Sequence, residues 1–191
     1  MVIGITGGVG CGKSRILDYL HEKYLYKVIK ADEIAHIVKE KEGICYNPIV
    51  ALLGQDVLDC NGEIDKNAMA TKIFGDAKLL EEINKIIHPA VKNIILGEIN
   101  KKDYEIIFIE AALLIEDCYL PYLDELWYIY ASEEVRESRL IKGRGYSAEK
   151  VNSIFSKQMK DIEYRKYADF IIDNSNDIES AFKQIDERLK V

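Results

Sequence analysis

Two hydrophobic rhythms alternate along the chain. Short runs that are apolar at nearly every position, at residues 2–6 (VIGIT), within 26–32 (YKVIKAD), at the start of 104–116 (YEIIFIEAALLIE), at 125–131 (ELWYIYA) and at 169–173 (DFIID), read as five strands covered on both faces. Between them apolar residues recur every three or four positions, as helices require. A helix is expected over 14–24, another from Glu33 to about Lys41, and a last amphipathic one over 177–190. Ser132, followed by Glu133 and Glu134, has the form of an N-cap and acidic first turn. The sequence KGRGYS interrupts that helix, and a further one is expected from Ser147 to about Lys166.

Residues 43–101 break the alternation, being helical with turns and without a strand of their own. Pro89 falls inside their longest helical pattern, residues 78–100, and predicts a kink or a restart. Strand and helix otherwise take turns, which predicts an α/β fold of three layers, a five-stranded parallel sheet covered by helices. The stretch between the second and third strands is expected as a helical insert beside the site.

Composition narrows the class. The formal net charge is -7, so no general polyanion-binding surface is implied and a nucleic-acid partner is not expected. Cys11, Cys45, Cys60 and Cys118 form neither a CxxC pair nor a zinc-ligand spacing, and read as free thiols in a reducing compartment. No signal peptide is visible, and no apolar run approaches the ~18 residues of a membrane span. A soluble, cytoplasmic protein is expected.

The candidate chemistry begins at GITGGVGCGKS, residues 4–14. Gly7, Gly12, Lys13 and Ser14 fit the phosphate-binding loop, G-x4-G-K-[ST], between a predicted strand and a predicted helix. Backbone N–H groups must converge on phosphate oxygens there, and side chains would obstruct them. The helix N-terminus faces the same anion. Gly8, Val9, Gly10, Cys11, Gly12, Lys13 and Ser14 are therefore the expected nucleotide contacts, with Lys13 on the β- and γ-phosphates and Ser14 on Mg²⁺. Cys11, at the start of a helix, is also a candidate for oxidation.

Phosphoryl transfer needs further groups. Asp32, expected at the end of the second strand, has the place and chemistry to accept a proton from an acceptor hydroxyl or to assist Mg²⁺; an N-cap is its bland alternative. Glu110, closing the third strand, is a second acidic candidate. Arg139 and Arg144 flank a glycine-rich break and have the chemistry to neutralise charge on a transferred group. The chain lacks guanine-recognition and switch signatures, so these features suit a small-molecule kinase.

The ordered set of motifs resembles the dephospho-coenzyme A kinase family over nearly the whole chain. The matching stretches are GITGGVGCGKS, KADEIAHIV with Asp32, then His88, Pro89 and Val91, then EAALLIE with Glu110, Leu113, Leu114 and Glu116. Arg139 and Arg144 follow, and then Gln158, Ala168, Asp169, Ile172 and Asn174. Lys30, Ala112 and Cys11 depart from the family pattern, standing where it has an acid, a proline and a serine. The resemblance implies the fold of the P-loop NTPases and transfer of the ATP γ-phosphoryl group to the ribose 3′-hydroxyl of dephospho-CoA. It implies ATP and Mg²⁺ as requirements and Asp32 as base. Arg139 and Asn174 would lie near adenine, Arg144 near the phosphoryl group, and His88, Leu114 and Glu116 toward the acceptor. The insert, about 33–102, would hold that acceptor and residues 139–150 would form a lid. Two other readings stay open on the residues alone: a P-loop kinase for a nucleoside monophosphate or another small metabolite, and a nucleotide-binding regulatory protein without an acceptor.

Overall fold

The structure, a computed structural model, describes residues 1–111 and 113–190. It forms two compact units, one made of Met1–Ile29 with Asp103–Val191 and the other of Lys30–Lys102. The strands β1 (Val2–Thr6), β2 (Lys27–Lys30), β3 (Ile107–Glu110), β4 (Glu125–Tyr130) and β5 (Phe170–Asp173) lie in the order β2-β3-β1-β4-β5. β1 runs parallel to both neighbours, with Gly4 opposite Ile109 on one side and Leu126 on the other, and β4 runs parallel to β5. The chain leaves β1 toward one edge and later returns to its other side. The loop after β1 therefore sits at a switch point of the sheet, where α/β folds bind ligands.

Helices cover both faces because the strands are apolar on both. α1 (Lys13–Tyr24) buries Ile16, Leu17 and Leu20, and α9 (Ile178–Leu189) buries Ala181 and Ile185; these share one core with Ile3, Ile5, Phe108, Trp127, Ile129 and Ile172 of the sheet. Each such fully buried aliphatic side chain contributes about 1.5–3 kcal/mol. Tyr128 points to the opposite face, and its ring stacks at 4.8 Å on Tyr164 of α8 (Asp161–Tyr167). Between β4 and α8 run α6 (Glu133–Arg144), capped by the Ser132 side chain on Val135 N, and α7 (Ala148–Phe155), capped by Ser147 on Lys150 N.

The second unit is helical. It consists of α2 (Ala31–Ile37), α3 (Tyr46–Leu53), a 3-10 turn at Gln55–Val57, α4 (Lys66–Ile73) and α5 (Ala77–Lys101). One isolated antiparallel bridge, Leu58 with Ile64, is its β structure among the described residues. Asp65 and Asp76 cap α4 and α5 through Ala68 N and Leu79 N.

Three boundaries differ from expectation. β2 ends at Lys30, so Asp32 lies in the first turn of α2, where Asp32 and Glu33 complement the helix dipole. Pro89 does not restart the helix as a separate element: α5 is continuous, its Ile83, Ile87, Val91 and Ile95 forming one buried stripe. Residues 147–166 form two helices, because α8 opens on its own reciprocal cap, with Lys160 N donating to Glu163 Oε2 at 3.1 Å and Glu163 N to the Lys160 carbonyl at 2.9 Å.

Candidate active site

The glycine loop joins β1 to α1. Gly12 precedes the helix with φ +99°, a left-handed conformation, and a Cβ there would come within 2.3 Å of Asn174 Nδ2. At Gly8 a Cβ would meet the Arg136 guanidinium at 2.3 Å. Both positions are glycine because other parts of the chain press against the loop.

Those parts fix where the loop amides point. Asn174, at the end of β5 and only 1% exposed, donates Nδ2 to the Cys11 carbonyl at 2.7 Å. Arg139 Nη1 donates to the carbonyls of Gly10 (3.5 Å) and Cys11 (3.4 Å), and its Nη2 to those of Asn174 (2.9 Å) and Asn176 (3.4 Å). Arg136 Nε donates to the Val9 carbonyl at 2.9 Å. Gln158 Oε1 accepts from Val9 N at 3.2 Å and from Arg136 Nη2 at 2.5 Å. In a trans peptide the C=O and the next N–H point in opposite directions. Holding the Val9 and Cys11 carbonyls therefore turns the N–H groups of Gly10 and Gly12 away from these donors. Those two, with Lys13 N and Ser14 N in the first turn of α1, have no protein acceptor among the described residues. Val9 N and Cys11 N, by contrast, are committed to Gln158 and to the Gly8 carbonyl (3.1 Å). The arrangement offers four convergent donors to an anion.

Lys13 Nζ donates to the Gly7 carbonyl at 2.6 Å and lies 3.9 Å from Glu110 Oε1, the acid ending β3. Ser14 is exposed. Cys11, expected as a candidate for oxidation, is 1% exposed and belongs to the core, which closes its thiol to solvent oxidants. Behind the loop, burial raises the phenol pKa values of Tyr128 and Tyr164, for Tyr128 with help from a hydrogen bond to Asp161. Both stay protonated and serve packing.

The remaining candidates belong to other elements. Arg144 is the exposed last residue of α6, before Gly145. Asn174 and Arg139 hold the loop by its carbonyls, so their place is under the loop and they act on a ligand through it. Leu114, expected to face an acceptor, is fully buried, and a Cβ at Gly4 of β1 would lie 3.2 Å from its Cδ1; it is a core residue. Glu116 and Leu113 are exposed after β3. Ala112 lies outside the described residues. Asp32 is exposed on α2, and His88 is half-buried in α5 of the same unit. Arg136 was not anticipated. Its position three residues before Arg139, on one face of α6, is the signal that marks it.

The family model for dephospho-CoA kinase matches residues 1–180. The chain belongs to the dephospho-CoA kinase family. It is therefore a kinase with ATP as co-substrate. A dephospho-CoA kinase of Aquifex aeolicus is 37% identical over 184 residues, covering 96% of this chain and 93% of that protein. One of Fusobacterium nucleatum is 33% identical, covering 97% and 95%. The crystal structure of TT1252 from Thermus thermophilus superposes with a TM-score of 0.83 at 27% identity, covering 100% of this chain and 98% of that one. The five-stranded sheet and the loop after β1 are thus those of a P-loop kinase. Of this kinase's departures from the family pattern, Lys30 pairs with Glu33 at 3.3 Å and Cys11 fills core volume beneath the loop.

Proposed function

We propose that the chain transfers the γ-phosphoryl group of ATP to the ribose 3′-hydroxyl of dephospho-CoA, giving CoA and ADP. The single observation that carries this reading is the set of four unpaired N–H groups of Gly10, Gly12, Lys13 and Ser14 beside the Lys13 ammonium, in a chain of this family. These donors hold the β- and γ-phosphates. Lys13 exchanges its Gly7 carbonyl for a phosphate oxygen and neutralises charge as the transfer proceeds. The exposed Ser14 hydroxyl is a hard oxygen suited to Mg²⁺, which when bound screens the phosphate charges. Among the described residues there is no group of three or more His, Cys, Asp or Glu that could hold a metal ion.

The 3′-oxygen attacks the γ-phosphorus, the bond to the β,γ-bridging oxygen breaks, and ADP leaves. Asp32 accepts the hydroxyl proton. Positioning does most of the work, since a ribose hydroxyl is a poor nucleophile that must be aligned while water is excluded. The Lys30–Lys102 unit holds the acceptor, Arg139 fixes the loop, and residues 139–150 act as a lid carrying Arg144 to the transferred group. The reaction belongs to the cytoplasm, with which four free thiols agree. Among the described residues no helix is long and apolar enough to cross a membrane.

Purified protein incubated with ATP, Mg²⁺ and a panel of dephospho-CoA, AMP and a sugar acid tests the reading. CoA formed stoichiometrically with ADP is expected. Transfer to AMP or the sugar acid with dephospho-CoA inert would give the site to another small-molecule kinase.

A further inference from the structure

The Lys30–Lys102 unit contains a cavity of about 350 Å³ with a mixed wall. Ile64 and Met69 supply apolar surface, while Lys39, Lys66 and His36 supply nitrogen groups. Glu40 and Glu63 also face it. Glu63 is engaged: its Oε2 accepts from Lys41 N at 3.2 Å. Glu40 is exposed. Neither Lys39 nor Lys66 has an ion-pair partner among the described residues.

The two lysines repel each other. Burial, and then the charge of Lys66, lower the pKa of Lys39, and the opposing influence of Asp32 is weaker. Like charges held together at a partly desolvated wall are costly unless an anion joins them. The geometry of α2 says which anion. Asp32 and His36 share one face of α2 at i and i+4, and Lys39 follows in the turn that ends the helix, its N–H donating to the His36 carbonyl at 3.1 Å. At 1.5 Å per residue Asp32 and His36 are about 6 Å apart along that face, and Lys39 lies beyond them. An acceptor with its ribose hydroxyl at Asp32 carries its 5′-linked phosphates away from that hydroxyl, across the sugar.

We infer that this cavity is the acceptor's specificity subsite, with Lys39 and Lys66 receiving the diphosphate of a nucleotide-linked diphosphate and Ile64 and Met69 lining the path of its organic arm. The inference rests on the acceptor reading above, and it adds which side chains distinguish an acceptor bearing a diphosphate and arm from a bare nucleoside. It also separates binding from stability. A lysine that packs well stabilises the fold, whereas these two oppose each other and would gain an anionic partner from a ligand.

The test is steady-state kinetics with dephospho-CoA, using Lys39→Met, Lys66→Met and the double variant, with Lys78→Met on the exposed side of α5 as control. Each cavity substitution is expected to raise KM for dephospho-CoA by about tenfold or more, as loss of a charge-assisted contact does, with KM for ATP within about twofold. Melting temperatures are expected to hold or rise, since repulsion is relieved. Lys39→Arg and Lys66→Arg, which keep the charge, should stay within about threefold of the native KM. A double variant with native KM for dephospho-CoA overturns the subsite alone and leaves the reaction standing. Native protein that leaves dephospho-CoA unphosphorylated overturns both readings.

Discussion

Arg136 offers the most searching perturbation, because its effect should pass entirely through the main chain of Val9. Its guanidinium makes two charge-assisted hydrogen bonds, to the Val9 carbonyl at 2.9 Å and to Gln158 Oε1 at 2.5 Å, and it lies 4.4 Å from the centre of the Phe155 ring. Buried bonds of this type contribute about 1.5–3 kcal/mol each. Arg136 is only half-buried, so about 1 kcal/mol each is the reasonable share, with about 0.5 kcal/mol more from the ring contact. Arg136→Met keeps the apolar stem and should cost about 2–3 kcal/mol in urea denaturation. Arg136→Lys should cost about half of that, since one ammonium cannot reproduce the fork. The functional effect should be a weaker Kd for ATP, by about tenfold, because the Gly10 N–H loses its orientation. Combining Arg136→Met with Gln158→Ala in a double-mutant cycle should return a coupling of about 1 kcal/mol. A Met variant within 0.5 kcal/mol of native stability, with unchanged ATP affinity and no coupling to Gln158, would refute the view that the loop is held open from outside.

Three other outcomes are expected. Asp32→Asn should lower kcat by about a hundredfold or more while leaving the ATP dissociation constant within about twofold, measured by single turnover and calorimetry; a collapse of ATP binding would make Asp32 a nucleotide or structural group. Gly12→Ala, which forces a Cβ at 2.3 Å from Asn174 Nδ2 on a backbone with φ +99°, should lower both stability and ATP affinity, and native behaviour in melting and binding would contradict the loop geometry. Asp186 of α9 ties α1 in place: burial works to raise its pKa, but hydrogen bonds from Lys23, Tyr19 and Tyr24 prevail and hold it at about 2. A depressed carboxyl stabilises the fold above its unfolded value near 3.9 and loses that contribution as pH falls toward 2. The stability gap between native protein and Asp186→Asn should thus be full at pH 6 and shrink between pH 4 and 2; a gap independent of pH would contradict it.

What the sequence revealed depended on the range of each signal. The phosphate loop was legible because its requirements lie within eight consecutive positions, Gly7 to Ser14. The five strands were legible because a sheet covered on both faces needs continuous apolar runs. Boundaries set by short-range competition were less clear. At residues 31–33 the Ala-Asp-Glu run favours a helical first turn, and that preference cut β2 short and moved Asp32 onto α2. Pro89 lies in a helix whose buried stripe overrides the local penalty. Long-range partners were invisible. Arg136 meets Val9 across 127 positions, and its i, i+3 spacing to Arg139 places it on the same face of α6 without naming the carbonyl it holds. Leu114 was recognisable as apolar, but not the side on which it is buried. Asn174 was recognised as a motif residue, and its role as a loop clamp emerged from its contact with the Cys11 carbonyl.

The most direct test of the central claim is phosphorus NMR of a single reaction containing purified protein, ATP, Mg²⁺ and dephospho-CoA. A new phosphomonoester signal at the ribose 3′-position, growing in step with ADP, is the predicted result. Consumption of ATP to ADP and inorganic phosphate, with the ribose hydroxyl left unmodified, would contradict it.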